Sequence, residues 1–209
     1  IQFRTVKLWS EGKPVDDMYR MIEYNTRFPE MVLGDIGSQV AGCKLGRQLF
    51  GEMLDRYGLA VVNAAIARIL DDSERIARDV IRAMPDGVYE AETFLDDDGV
   101  SIGAPVPVRA KVTVKGDSLE VDLSGCSPVL KGAINSGTQG GAETCAGIAL
   151  ALIIGGEDAP NAGTFRALTV TIPEGTFLSA PPSAPMARYS SPLATVVDTI
   201  LRAVGKALP

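Results

Sequence analysis

Between Ser124 and Gly141 the chain reads Ser-Gly-Cys-Ser-Pro-Val-Leu-Lys-Gly-Ala-Ile-Asn-Ser-Gly-Thr-Gln-Gly-Gly, a run of glycines and short polar side chains. Glycines let a backbone take positive φ and approach a ligand closely. Ser124, Ser127, Asn135, Ser136, Thr138 and Gln139 supply hydroxyl and amide groups along that framework. Asp122 stands at its entrance, where a carboxylate can orient backbone N–H groups, take a proton, or brace the loop. Asn135 can present its amide to a carbonyl oxygen on which charge develops, or take the left-handed conformation that a loop requires. The candidate catalytic set is therefore Asp122, Ser124 and Asn135. A helix following the run adds unpaired N–H groups that favour an anion. Neither a phosphate-loop ending nor a dinucleotide fingerprint is present.

Three further residues are candidates for substrate binding. Asp35 and Gln39 lie four apart, so on a helix they share a face and can grip one polar group. Asp35 can equally be a helix N-cap. Arg166 follows the Asn161-Ala162-Gly163 turn and can bind a carboxylate or phosphate with its planar fork; Arg188 has the same capacity.

The chain has no histidine, which excludes His-dependent triads, His-bearing zinc sites and any imidazole base. Asp96-Asp97-Asp98-Gly99 lacks the alternating ligand spacing of a calcium loop and reads as a hairpin turn. No metal ligand set is assigned. Cys43, Cys126 and Cys145 are odd in number and widely spaced, so they form neither a disulfide framework nor a metal knuckle and read as small buried hydrophobes.

These groups need elements to position them, and 209 residues at 46% hydrophobic suffice for a substantial core. The net charge of −6, with both signs mixed along the chain, offers no basic stripe for nucleic acid. No stretch approaches a membrane span and the start is not a signal peptide, so a cytoplasmic protein without a membrane partner is expected. Residues 1–87 read as mainly helical: a short strand over Phe3–Trp9, then helices from Val15 to about Asn25, Asp35 to Tyr57, and Leu59 to Met84. Pro29 ends the first of these helical patterns. In the third helix, Val62, Ala65, Ile66, Ile69, Ser73, Ile76, Val80 and Met84 form one stripe, expected to be core or interface. Residues 88–209 switch to period two over Val88–Leu95, Val106–Val114 and Leu119–Leu123, an antiparallel meander. A buried helix over Glu143–Ile154, a strand over Leu168–Ile172, an extended stretch over Ala180–Pro185 and a helix from about Pro192 to Ala207 complete the pattern. The fold class is α+β: N-terminal helices, then an antiparallel sheet with a buried helix and a C-terminal helix.

Seven motifs, in order, carry a resemblance. They are Gly34-Asp35-Ile36-Gly37-Ser38-Gln39, Pro85-Asp86-Gly87-Val88-Tyr89, Asp96-Asp97-Asp98-Gly99, Val121-Asp122-Leu123-Ser124-Gly125-Cys126-Ser127, Gly132-Ala133-Ile134-Asn135, Pro160-Asn161-Ala162-Gly163 and Pro173-Glu174-Gly175. Together they make the chain similar to the middle portion of the hydantoinase B/oxoprolinase family, which includes N-methylhydantoinase B-type subunits and subunits of acetone and acetophenone carboxylases. Leu123 and Cys126 stand where that family commonly has an aromatic and a Thr, and Ala133 where it has Pro. The resemblance implies part of a B-type subunit of an ATP-dependent enzyme that opens a cyclic amide, or else carboxylates a ketone. A third expectation is a non-catalytic scaffold segment packing against a partner subunit. The implied partners are a hydantoinase A-like ATP-binding subunit and the remainder of the same subunit, with ATP and a divalent metal located outside this segment. A start at Ile1 and an end at Leu-Pro are those expected of an excerpt.

Overall fold

A computed structural model describes residues 5–138, 141–155 and 159–207. The chain divides into two compact units, Ile1–Ala65 and Ile66–Pro209. The long helix α3 (Leu59–Arg82) carries the division within it.

In the first unit, β1 (Trp9–Ser10) pairs antiparallel with β2 (Lys13–Pro14) around Glu11 and Gly12, both at positive φ (51° and 79°), as a two-residue hairpin demands. The strand expected over Phe3–Trp9 is reduced to Trp9 within the described residues; Phe3 and Arg4 lie outside them. Helices α1 (Asp16–Tyr24) and α2 (Pro29–Tyr57) pack on each other. Lys44 sits over the Trp9 ring at 3.9 Å from its centroid and ties the hairpin to α2. Pro29 both stops the first helical pattern and begins α2, since its fixed φ suits a first helical position where no N–H partner is needed. The α2 start is thus earlier than Asp35, which lies inside the helix and is not its N-cap.

In the second unit, β3 (Gly87–Leu95), β4 (Val106–Lys115) and β5 (Ser118–Asp122) form the meander, and β6 (Leu168–Thr171) adds to β5 in parallel. The sheet is therefore mixed, with the order β3-β4-β5-β6. A parallel neighbour requires a crossover, which α4 (Ala142–Ile154) supplies. Alternation holds along β4: Val106, Val108, Ala110, Val112 and Val114 are buried. Helix α5 (Leu193–Val204) lies against β3 and β4, and α4 against α5 and β6. The core is completed by Leu119, Val121, Leu123, Ala146, Leu150, Val196 and Ile200. Among the described residues, no helix is long and apolar enough to cross a membrane.

The α3 stripe is rotated from its expected face. Ile66, Ile69 and Ile76 are exposed, and the buried contacts come from Ala77, Ile81 and Met84. Ion pairs explain the rotation. Arg78 and Arg82 of α3 reach Asp117 in the β4–β5 turn, while Asp71 and Glu74 hold Arg166, so the polar side of the helix is also anchored to the fold.

Burial separates two isoleucines on this one helix. Ile81→Ala is expected to destabilise the chain by about 2–5 kcal/mol, whereas Ile69→Ala should change stability by less than about 0.5 kcal/mol. Urea unfolding of both variants checks this, and equal losses would contradict the observed face.

Candidate functional site

Strand β5 delivers Asp122 to the sheet rim, and the backbone N–H of Leu123 extends the pairing by donating to the Thr171 carbonyl at 2.9 Å. The Asp122 carboxylate accepts the Ser124 N–H at 2.8 Å, closing a tight turn. The Ser124 hydroxyl, its N–H and nearby Lys111 hold the Asp122 carboxyl below its usual range against the opposing effect of burial. Asp122 and Ser124 are thus brought together as expected.

Asp122 also lines a cavity of about 550 Å³ on the polar side of the sheet, with Glu90, Glu92, Arg109, Lys111 and Lys206. Arg109 and Glu92 pair across strands at 2.6 Å. The cavity presents one carboxylate turned into a loop among charges of both signs.

Asn135 takes no part in this cavity. It is fully buried, and its amide is saturated by backbone: Nδ2 donates to the carbonyls of Leu130, Gly132 and Pro185, each at 3.0 Å, and Oδ1 accepts the Leu130 N–H at 2.8 Å. The expected oxyanion donor is corrected to a loop clamp, since no N–H remains for a substrate.

A second clamp is Asp98, read from sequence only as part of a turn. Its Oδ1 accepts the N–H groups of Val100 and Ser101, and its Oδ2 accepts the Gly132 N–H at 3.1 Å. Gly132 admits no side chain, because a Cβ would overlap the Asp98 carbonyl oxygen. The acidic triplet is therefore occupied in bracing: Asp97 accepts the Gly99 and Gly103 N–H groups. No local signal in the sequence ties Asp98 to a glycine 34 positions away.

The rest of the run is fastened to residues 175–188. Val129 donates to Gly175, Phe177 to Ser127, Ser136 to Phe177, Ala180 to Ser136 and Arg188 to Ala133, all backbone to backbone. Ser136 is buried with its hydroxyl unpaired among the described residues. Gln139 and Gly140 lie outside the described residues. Cys126 is enclosed, its thiol bonded to the Arg109 backbone and pushed up in pKa by burial, so it is no nucleophile.

Arg166 is also committed elsewhere. One guanidinium nitrogen contacts Asp71 at 2.9 Å and Glu74 at 3.0 Å, so the expected substrate fork is corrected to a brace between α3 and the turn at Thr164–Ala167. In that same turn Asn161 donates to the Ser73 hydroxyl at 2.7 Å, and Gly163 lies so close to Leu70 that a Cβ would strike its backbone. Asp35 and Gln39 stand one turn apart on an exposed side of α2 in the first unit and take part in none of these contacts. Among the described residues, no group of three or more Cys, Asp or Glu could hold a metal. The residues present do not fit a metal centre, so no step through a metal is assigned to them.

The comparisons with known proteins agree with this arrangement. A family model described as hydantoinase B/oxoprolinase matches residues 1–209. The B-type subunit of a D-/L-hydantoinase from Pseudomonas sp. (strain NS671) is 34% identical over 223 residues, covering 100% of this chain and 37% of that protein. The beta subunit of the Pseudomonas jessenii caprolactamase is 31% identical over 98% of the chain and 35% of that protein. A crystal structure of the ATP-dependent caprolactamase from the same organism superposes with a TM-score of 0.90 at 29% identity, over 100% of this chain and 36% of that one. A shorter match, 27% identity over 59% of the chain and 18% of that protein, links it to the acetophenone carboxylase delta subunit of Aromatoleum aromaticum. The chain spans about a third of the length of the relatives that match all of it.

Asn135→Ala is expected to lower the melting temperature, because it strands buried backbone groups at about 1–3 kcal/mol each, while the specific rate of the folded enzyme stays near normal. A rate loss at unchanged melting would restore the donor role. Asp98 gives a pH signature. Its carboxyl is held below the usual range by the Ser101 and Val100 N–H groups, so its stabilisation is complete above about pH 4 and is lost as pH falls through the lower folded-state value. Asp98→Asn should flatten the acid limb of a stability-against-pH curve, and an unchanged limb would show that Asp98 contributes nothing to it.

Proposed function

The chain belongs to the hydantoinase B/oxoprolinase family, and on that footing we propose that it forms part of a B-type subunit of an ATP-dependent enzyme that opens cyclic amides. The observation carrying this reading is the contrast among relatives. The two that match essentially the whole chain, at 34% and 31% identity, are named for hydantoin and caprolactam, both cyclic amides. The carboxylase relative matches at 27% over 59% of the chain, which makes ketone carboxylation the second reading. The partner is a hydantoinase A-like subunit that handles ATP, consistent with relatives that are themselves the B-type and beta subunits of their enzymes.

Within this enzyme the segment acts chiefly as a rigid frame. Asn135, Asp98 and Arg166 hold backbone or pair with other side chains, which leaves Asp122 at the mouth of the sheet cavity as the candidate contact to substrate. A carboxyl held below its usual range is ionised at neutral pH and suits acceptance of a hydrogen bond from a ring N–H, rather than delivery of a proton.

The complete subunit, reconstituted with its ATP-binding partner, should open hydantoin or ε-caprolactam in an ATP-dependent manner, while the 209-residue chain alone is silent. Carboxylation of acetone or acetophenone without amide opening would overturn the reading, as would turnover by the chain alone. Asp122→Asn keeps an oxygen for the Ser124 turn but removes the charge. It should lower turnover about tenfold or more at constant melting temperature; an unchanged rate would confine Asp122 to the turn.

A further inference from the structure

Helix α2 is 29 residues long and buries none of them. Leu33, Ile36, Val40 and Leu54 are half-buried along one side. The opposite side carries Met31, Gly34, Ser38, Gly42, Leu45, Leu49 and Met53, recurring every three or four positions, so they line up along the helix. A solvent-facing side ordinarily carries charges. Here Met31, Leu45 and Leu49 are 61%, 55% and 54% exposed.

The small residues on this side point the same way. Gly34, Gly42 and Gly46 follow one another at intervals of eight and four, with Ser38 between, and a Cβ added at any of these glycines would meet nothing within 4 Å. Nothing in this structure requires glycine there, although each interior glycine weakens a helix relative to alanine. The Ser38 hydroxyl is folded back onto the Gly34 carbonyl at 3.0 Å, which leaves the side smooth. Such a surface lets a second backbone come close over Gly34–Gly46 while Leu45, Leu49 and Met53 receive its apolar ridge.

We propose that this side of α2 is the docking surface for an α-helix with an apolar ridge, supplied by the part of the same subunit that lies outside the matched stretch. The occupant follows from length: the relatives matching the whole chain carry only 37% and 35% of their residues in it, so about two thirds of such a subunit is available to cover the helix. The inference rests on the longer subunit of the preceding section, but its test does not use activity.

Gly42→Leu combined with Gly46→Leu separates the possibilities, with Gly37→Leu, on a different side of α2, as control. In the 209-residue chain the pair should raise the melting temperature, because helix propensity is gained in open space. In the complete subunit, expressed without its ATP-binding partner, the same pair should lower melting by several degrees while Gly37→Leu does not. A rise in both would overturn the proposal. So would a rise in the complete subunit accompanied by loss of co-purifying partner, which assigns the surface to the other subunit. A concentration-dependent dimer of the 209-residue chain that the pair abolishes would assign it to a second copy, and would equally overturn the proposal.

Discussion

A loop without regular structure can be buried only if each of its backbone polar groups finds a partner, and in this protein that constraint falls on two side chains. Asn135 closes four backbone contacts across residues 130–132 and 185, and Asp98 closes another across 34 positions of sequence. Removing either leaves carbonyls or N–H groups enclosed away from water, which costs more than the bond itself contributes. The glycines have the matching role. Gly132 and Gly163 are places where one backbone lies against another, so that clamp and glycine form a single device.

The same device recurs through the motifs that carry the family resemblance. The Asp96–Gly99 segment, the Gly132–Asn135 segment and the Pro160–Gly163 turn each supply a side chain that binds backbone or a distant hydroxyl, together with a glycine at a close approach or a turn. Asn161 reaches Ser73 and Gly163 packs on Leu70, which docks the connection after α4 onto α3. Motifs of this kind preserve geometry, and an enzyme that positions a substrate to within an ångström needs such geometry as much as it needs reactive groups.

What the sequence made legible and what it concealed divide along the same line. The strands were readable because period-two burial is local: Val106 to Val114 alternate and the structure buries the set. The turn at Lys115–Ser118 and the apolar α4 were readable for the same reason. The α3 face was misplaced because an apolar stripe competes with ion pairs whose partners, Asp117 and Arg166, lie in other elements. The start of α2 was missed because Pro29 serves as a stop and a start at once. Asn135 and Arg166 have the right chemistry for a substrate, and only tertiary contacts reveal that both are already engaged.

The electrostatics limit what this segment can do in a reaction. Carboxyls at Glu74, Asp98 and Asp122 are lowered, by the Arg166 guanidinium, by the Ser101 N–H and by the Ser124 hydroxyl respectively. The thiols of Cys126 and Cys145 are raised by burial, Cys145 to about 11. The guanidinium groups of Arg68, Arg82 and Arg166 are raised by Asp72, Asp79 and Glu74. Every one of these shifts is away from neutrality, whereas a group that shuttles protons works best with a pKa near the working pH. The fold thus fixes charge, and efficient proton transfer in the proposed reaction falls to groups beyond these. In that division, a carboxylate such as Asp122 contributes by being charged and held in place, which requires the rigid rim that the two clamps maintain.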